Sequence, residues 1–111
     1  MNSKEIDPHK AVDFIRDNGK VYAQAKANRV YAEEFRKSLK AILMKQSMES
    51  AVNAQEREAY SHPDYLKLLK GLQEAVEIEE RLRWEMVAAQ ARIEVWRSQE
   101  ASNRVTDRVT M

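Results

Sequence analysis

Two histidines, His9 and His62, and a group of carboxylates, Glu74, Glu77, Glu79 and Glu80, are the residues whose types suggest metal or acid–base chemistry. A histidine site on a helix announces itself by spacing, because ligands must share one face. Neither His-x-x-x-His nor Glu-x-x-His occurs, and the chain has no cysteine to supply thiolates. Di-metal helical bundles combine glutamates with Glu-x-x-His, so the carboxylate group lacks its companion motif. No Ser–His–Asp grouping and no glycine-rich phosphate loop is present. The residues predict no catalytic centre, no metal, no cofactor and no small-molecule substrate: a binding protein and not an enzyme.

Binding chemistry is better represented. Tyr22, Lys26, Arg29, Glu33, Arg36, Lys40 and Leu43 follow steps of four and three, the spacing of one helix face. Residues 20–45 hold seven Lys/Arg against two Glu, although the whole chain balances 19 basic against 18 acidic side chains. Two uses are open to such a stripe. It can neutralise phosphates of a nucleic acid, with Tyr22 for base stacking. Alternatively, it pairs with Glu74–Glu80 across a helix interface, where opposed charges set orientation. Arg92, Arg97, Arg104 and Arg108 surround Trp96 and, with Lys10, Arg16 and Lys20, make a second basic region. The candidate nucleic-acid or partner-binding residues are therefore Tyr22, Lys26, Arg29, Arg36, Lys40, Arg92, Arg97 and Arg104. The partner expected of such a surface is DNA, RNA or another protein.

These side chains need long helices to position them. The chain has 111 residues with only two glycines and two prolines, too few turn-formers for a multistranded sheet. Asp7-Pro8 is a helix start, and a stripe of Phe14, Asn18, Val21, Ala25, Asn28, Ala32, Phe35, Leu39 and Ile42, widened by Ile15, Tyr22 and Leu43, predicts one helix over about 8–47, with Asn18-Gly19 as a weak point. Asn53 and Glu56 form a capping-box pattern for a short helix over about 54–60. Ser61-His62-Pro63-Asp64 starts a second long helix, with Ser61 as cap. It runs over about 63–103, and its stripe is Tyr65, Leu68, Leu72, Ala75, Glu79, Leu82, Met86, Ala89, Ile93 and Trp96, with Leu69 and Val76 widening the N-terminal half. The first six residues and the tail 104–111 lose the rhythm and are expected to be frayed or disordered.

The predicted fold is all-α: a single domain, 1–111, in which two long helices form an antiparallel, coiled-coil-like hairpin through a short connecting helix. Facing residues should have numbers summing to about 109. Glu79 falls on the apolar seam, where a carboxylate is costly unless paired, so it should meet Arg29 or hydrogen-bond to Asn28. Tyr31, Val30, Met44, Leu66, Ile78, Val87 and Val95 lie off both stripes. Assembly into a bundle would cover them, so self-association as a homodimer or larger oligomer is expected; the alternative is a monomer in which the short helix covers part of this surface. No apolar run reaches the roughly 18 residues of a membrane span, which leaves no membrane role and a cytoplasmic location as the expectation.

The stretches VYAEEFRKSLKAILM (30–44) and AAQARIEVWRSQEASNR (88–104) resemble small, largely uncharacterised open reading frames of tailed bacteriophages and prophages. The resemblance implies an accessory role near phage DNA metabolism, in the cytoplasm of a bacterial host. It carries no functional residues, because its motifs are helical-core patterns. The other reading the residues leave open is a structural or inhibitory module that binds a host or virion protein without nucleic acid.

Overall fold

The computed structural model describes residues 5–110. Three helices account for nearly all of them: α1, Pro8–Gln46; α2, Val52–Ser61; and α3, Pro63–Thr110. The chain is an all-α hairpin of two long helices with a short connecting one. Helical starts follow from local chemistry. The Asp7 carboxylate accepts the backbone N–H of His9 at 2.9 Å and of Lys10 at 3.3 Å, satisfying amides that the first turn leaves free. At Asn18-Gly19 the helix runs on: the Asn18 amide donates to the Phe14 carbonyl at 2.9 Å, and neither glycine adopts positive φ.

The α2 boundaries differ from the sequence expectation. Asn53 and Glu56 do not form a capping box; the helix begins at Val52 after Ala51, whose methyl group cannot cap. Glu56 is drawn instead to Lys40 on α1, a partner 16 residues away, at 2.6 Å. Ser61 is not the cap of α3 but the last residue of α2, where its hydroxyl donates to the carbonyls of Arg57 and Glu58. His62 separates the two helices in extended backbone, and its Nδ1 accepts the Asp64 N–H at 3.0 Å. His62 is thus the cap.

The tail is also corrected. Residues 104–110 continue α3 to Thr110 with every side chain from Arg104 to Val109 exposed. No Gly or Pro interrupts them, and once a helix exists each added residue brings a backbone hydrogen bond. β-Branched side chains cost only a few tenths of a kcal/mol each, too little to stop propagation. Met1–Lys4 and Met111, part of the frayed ends expected from sequence, lie outside the described residues.

The chain divides into two compact units, residues 23–80 and residues 1–22 with 81–111. In the first, α2 closes the hairpin: Leu43 of α1, Ala59 of α2 and Tyr65 of α3 form a buried cluster, with Leu39 and Met44 against it. Ala59 is only 1% exposed, so its methyl group sets how closely α2 can approach. The Tyr60 ring meets Tyr65 edge to face at 5.3 Å. In the second unit the buried side chains are Ala11 of α1 and Leu82 and Ala89 of α3. Small residues let the helices come close there, and large ones such as Phe14, Met86 and Trp96 are half-buried.

On α3 the inward row is the predicted one: every residue from Tyr65 to Trp96 in the three–four series is buried or half-buried, and Glu100 extends it. On α1 the seam is rotated by one residue. Val21, Asn28 and Ile42 are exposed, while Tyr22, Arg29, Arg36 and Leu43 turn inward beside the shared Asn18, Ala25, Ala32 and Leu39. One physical reason is that Glu79 of α3 needs a cation opposite, and only this face of α1 brings Arg29 to it.

Candidate interaction surfaces

The seam rotation decides the fate of the basic stripe. Arg29 donates through Nε and Nη2 to the two Glu79 oxygens, the latter at 3.1 Å, and through Nη1 to Glu33 at 3.1 Å. Glu79 is 6% exposed, so its charge is held in a poorly solvated place by a bidentate guanidinium, the geometry that makes such pairing strong. The hydrogen bonds from Arg29 to Glu79 and Glu33 push its basicity above that of a free arginine. The facing pair Arg29 and Glu79 is one residue off the expected register, which is within the reach of an arginine.

Lys40, about three turns along the same face, donates to Glu56 and lies 4.8 Å from the centre of the Tyr60 ring. The Glu56 hydrogen bond, with Tyr60 second, raises its pKa above the ordinary lysine value. A lysine so held is a poor nucleophile or general base at neutral pH. Arg36 is half-buried on the seam side and, among the described residues, makes no ion pair; the proximity to Glu74 expected from the register produces no bridge. Tyr22 is half-buried and so not free to stack on a base, while Lys26 is exposed. The stripe is largely a seam, not a free face.

The second basic region stays in water. Arg97 is exposed and pairs loosely with Glu94 at 3.3 Å on the same helix, and Arg104 is exposed on the last turns of α3. Arg92 is exposed at an open groove of about 660 Å³, lined also by Glu5, Asp7, Lys10 and Phe14. The groove carries two acids against two bases, so its charge selects no ligand. His9 sits in the first turn of α1 and His62 serves as a helix cap; among the described residues no group of three His, Asp or Glu is placed to hold a metal.

Six of the seven off-seam apolar residues named from the sequence are exposed, while Met44 packs against the Leu43 cluster. Tyr31 is 70% exposed, and its ring stacks almost parallel on Phe35 with centroids 5.9 Å apart. Ile42 is exposed on the same helix. On α3, Leu66, Leu69 and Val76 follow steps of three and seven and are all exposed, so Leu69 and Val76 do not widen the seam as expected. The signal was present: two overlapping three–four series on α1, of which only one could be the seam. Among the described residues no helix is long and apolar enough to cross a membrane. No protein-family model, curated protein or solved structure matches this chain.

Proposed function

We propose that the chain is a non-enzymatic interaction module, an accessory protein of a phage or prophage, whose helix faces bind another protein of the host or virion. The observation that carries this reading is the exposed apolar row Leu66, Leu69 and Val76, which lies outside a seam already completed by Glu79 and its neighbours. Apolar rows rimmed by charge are the usual mark of a surface that docks a partner helix. Affinity capture tests it: a discrete host or virion protein retained by the wild type should be lost with L69E/V76E, whose melting temperature stays unchanged. Equal retention by both proteins would sink the proposal.

A second reading rests on Arg92, Arg97 and Arg104, which remain exposed and loosely partnered. DNA engaged by them would be released steeply by salt. A mobility shift present at about 50 mM salt and abolished by R97E/R104E would support it. No shift at that salt would remove DNA from the list of partners.

A further inference from the structure

We infer that a second copy of this chain docks antiparallel on the α1 face formed by Gln24, Asn28, Tyr31, Phe35, Ser38 and Ile42. This deepens the proposed function, since it rests on the same reading of exposed helix faces as interaction surfaces and names one partner. The six positions advance by four, three, four, three and four residues, a second helical seam beside the one α3 occupies. None is charged, in a chain where one residue in three is. All but the half-buried Phe35 are exposed.

The face is ordered in advance. The stacked Tyr31 and Phe35 rings present a flat aromatic surface, and the Gln24 amide donates to Asn28 at 3.0 Å. Little side-chain freedom is left to lose on docking, which favours affinity. Aromatic side chains at the centre of a patch are the residues that most often dominate binding.

The arrangement is also self-complementary, as a two-fold contact requires. The six positions are symmetric about residue 33, so an antiparallel second copy brings Tyr31 against the other Phe35, Asn28 against the other Ser38, and Gln24 against the other Ile42. Aromatic meets aromatic and amide meets hydroxyl at the centre, while the outer pair sets the Gln24 stem against Ile42. The charge nearest the axis is Glu34, which its own helix neutralises through Lys37 at 3.5 Å.

Among the described residues no large side chain is fully buried, so the single chain completes no deep core of its own.

Sedimentation equilibrium on the full chain tests the inference. The wild type should give twice the monomer mass at micromolar concentration, and Y31K should weaken the dimer at least about tenfold while keeping the wild-type helical circular dichroism. E34C supplies the chain's sole thiol beside the proposed axis and should form an intermolecular disulfide on oxidation, whereas K70C should not. A monomeric wild type, or a dimer untouched by Y31K, overturns the inference. A monomer that still captures a protein through Leu69 and Val76 leaves the proposed function standing, while a dimer that captures nothing does the reverse.

Discussion

Residues 23–80 and the unit made of 5–22 with 81–110 use the same residue types to opposite ends. In the first, Arg29, Lys40, Glu33, Glu56 and Glu79 lie close enough to consume one another, and Arg29 and Lys40 are held by hydrogen bonds to carboxylates. In the second, Arg92, Arg97 and Arg104 stand in water, where an ion pair such as Arg97–Glu94 contributes little. The difference lies in what faces them. A cation opposite a buried carboxylate becomes part of the fold, whereas a cation at an exposed helix end remains free for a partner.

The largest effect should come from R29M. It deprives the buried Glu79 carboxylate of Arg29, and removing one member of a buried ion pair is far costlier than never having had it. Thermal melting should fall by more than about 10 °C. A smaller shift would mean that the charge pairing is incidental to the seam. K40M should lower melting by only a few degrees, about 2–5 °C, because its pair with Glu56 is partly solvated. The pH dependence has a definite sign. Lys40 has a raised pKa in the folded state, so its contribution is complete below the ordinary value of 10.5 and is lost as pH rises past it. The wild type should therefore destabilise more than K40M in an alkaline melting series.

Glycine replacement compares the helices of the two units directly. Gly19 and Gly71 each sit in ordinary helical backbone with open space where a Cβ would go. G19A and G71A should each stabilise by about 0.5–1 kcal/mol, measured by denaturant unfolding. A loss at either site would reveal a close approach by a neighbour or partner. The smallest effect belongs to R97Q/R104Q, which should change melting by less than about 2 °C. A larger change would show that the second basic region is used within the fold after all.

The sequence reading succeeded where one periodicity had no rival. Along α3 only one three–four series is apolar throughout its length, with Glu79 as its single charged member, and its residues from Tyr65 to Trp96 all turn inward. Along α1 two series share Asn18, Ala25, Ala32 and Leu39. Apolar content centred the expected seam on Val21, Asn28 and Ile42 with Tyr22 and Leu43 at its edge; the fold keeps Tyr22, Phe35 and Leu43, adds Arg29 and Arg36, and leaves Val21, Asn28 and Ile42 exposed. The deciding contact, Arg29 with Glu79, joins residues 50 apart, which no local pattern can weigh. The same holds for Glu56, whose apparent capping role yielded to Lys40. For this reason Tyr22, Arg29, Arg36 and Lys40, half of the candidate binding residues, are half-buried. The α3 tail was misjudged differently, by treating weak helix propensity as if it were a stop signal.

The placement of the aromatic residues makes the chain its own optical reporter. Trp84 and Trp96 both belong to the unit of residues 1–22 and 81–111, whereas Tyr31, Tyr60 and Tyr65 belong to residues 23–80. Tryptophan emission thus follows one unit alone. Far-ultraviolet circular dichroism follows the helices of both. If the two signals melt together, the long helices transmit unfolding along their whole length; if they separate, the hairpin comes apart in two stages, and the order of loss can be observed without attaching a label.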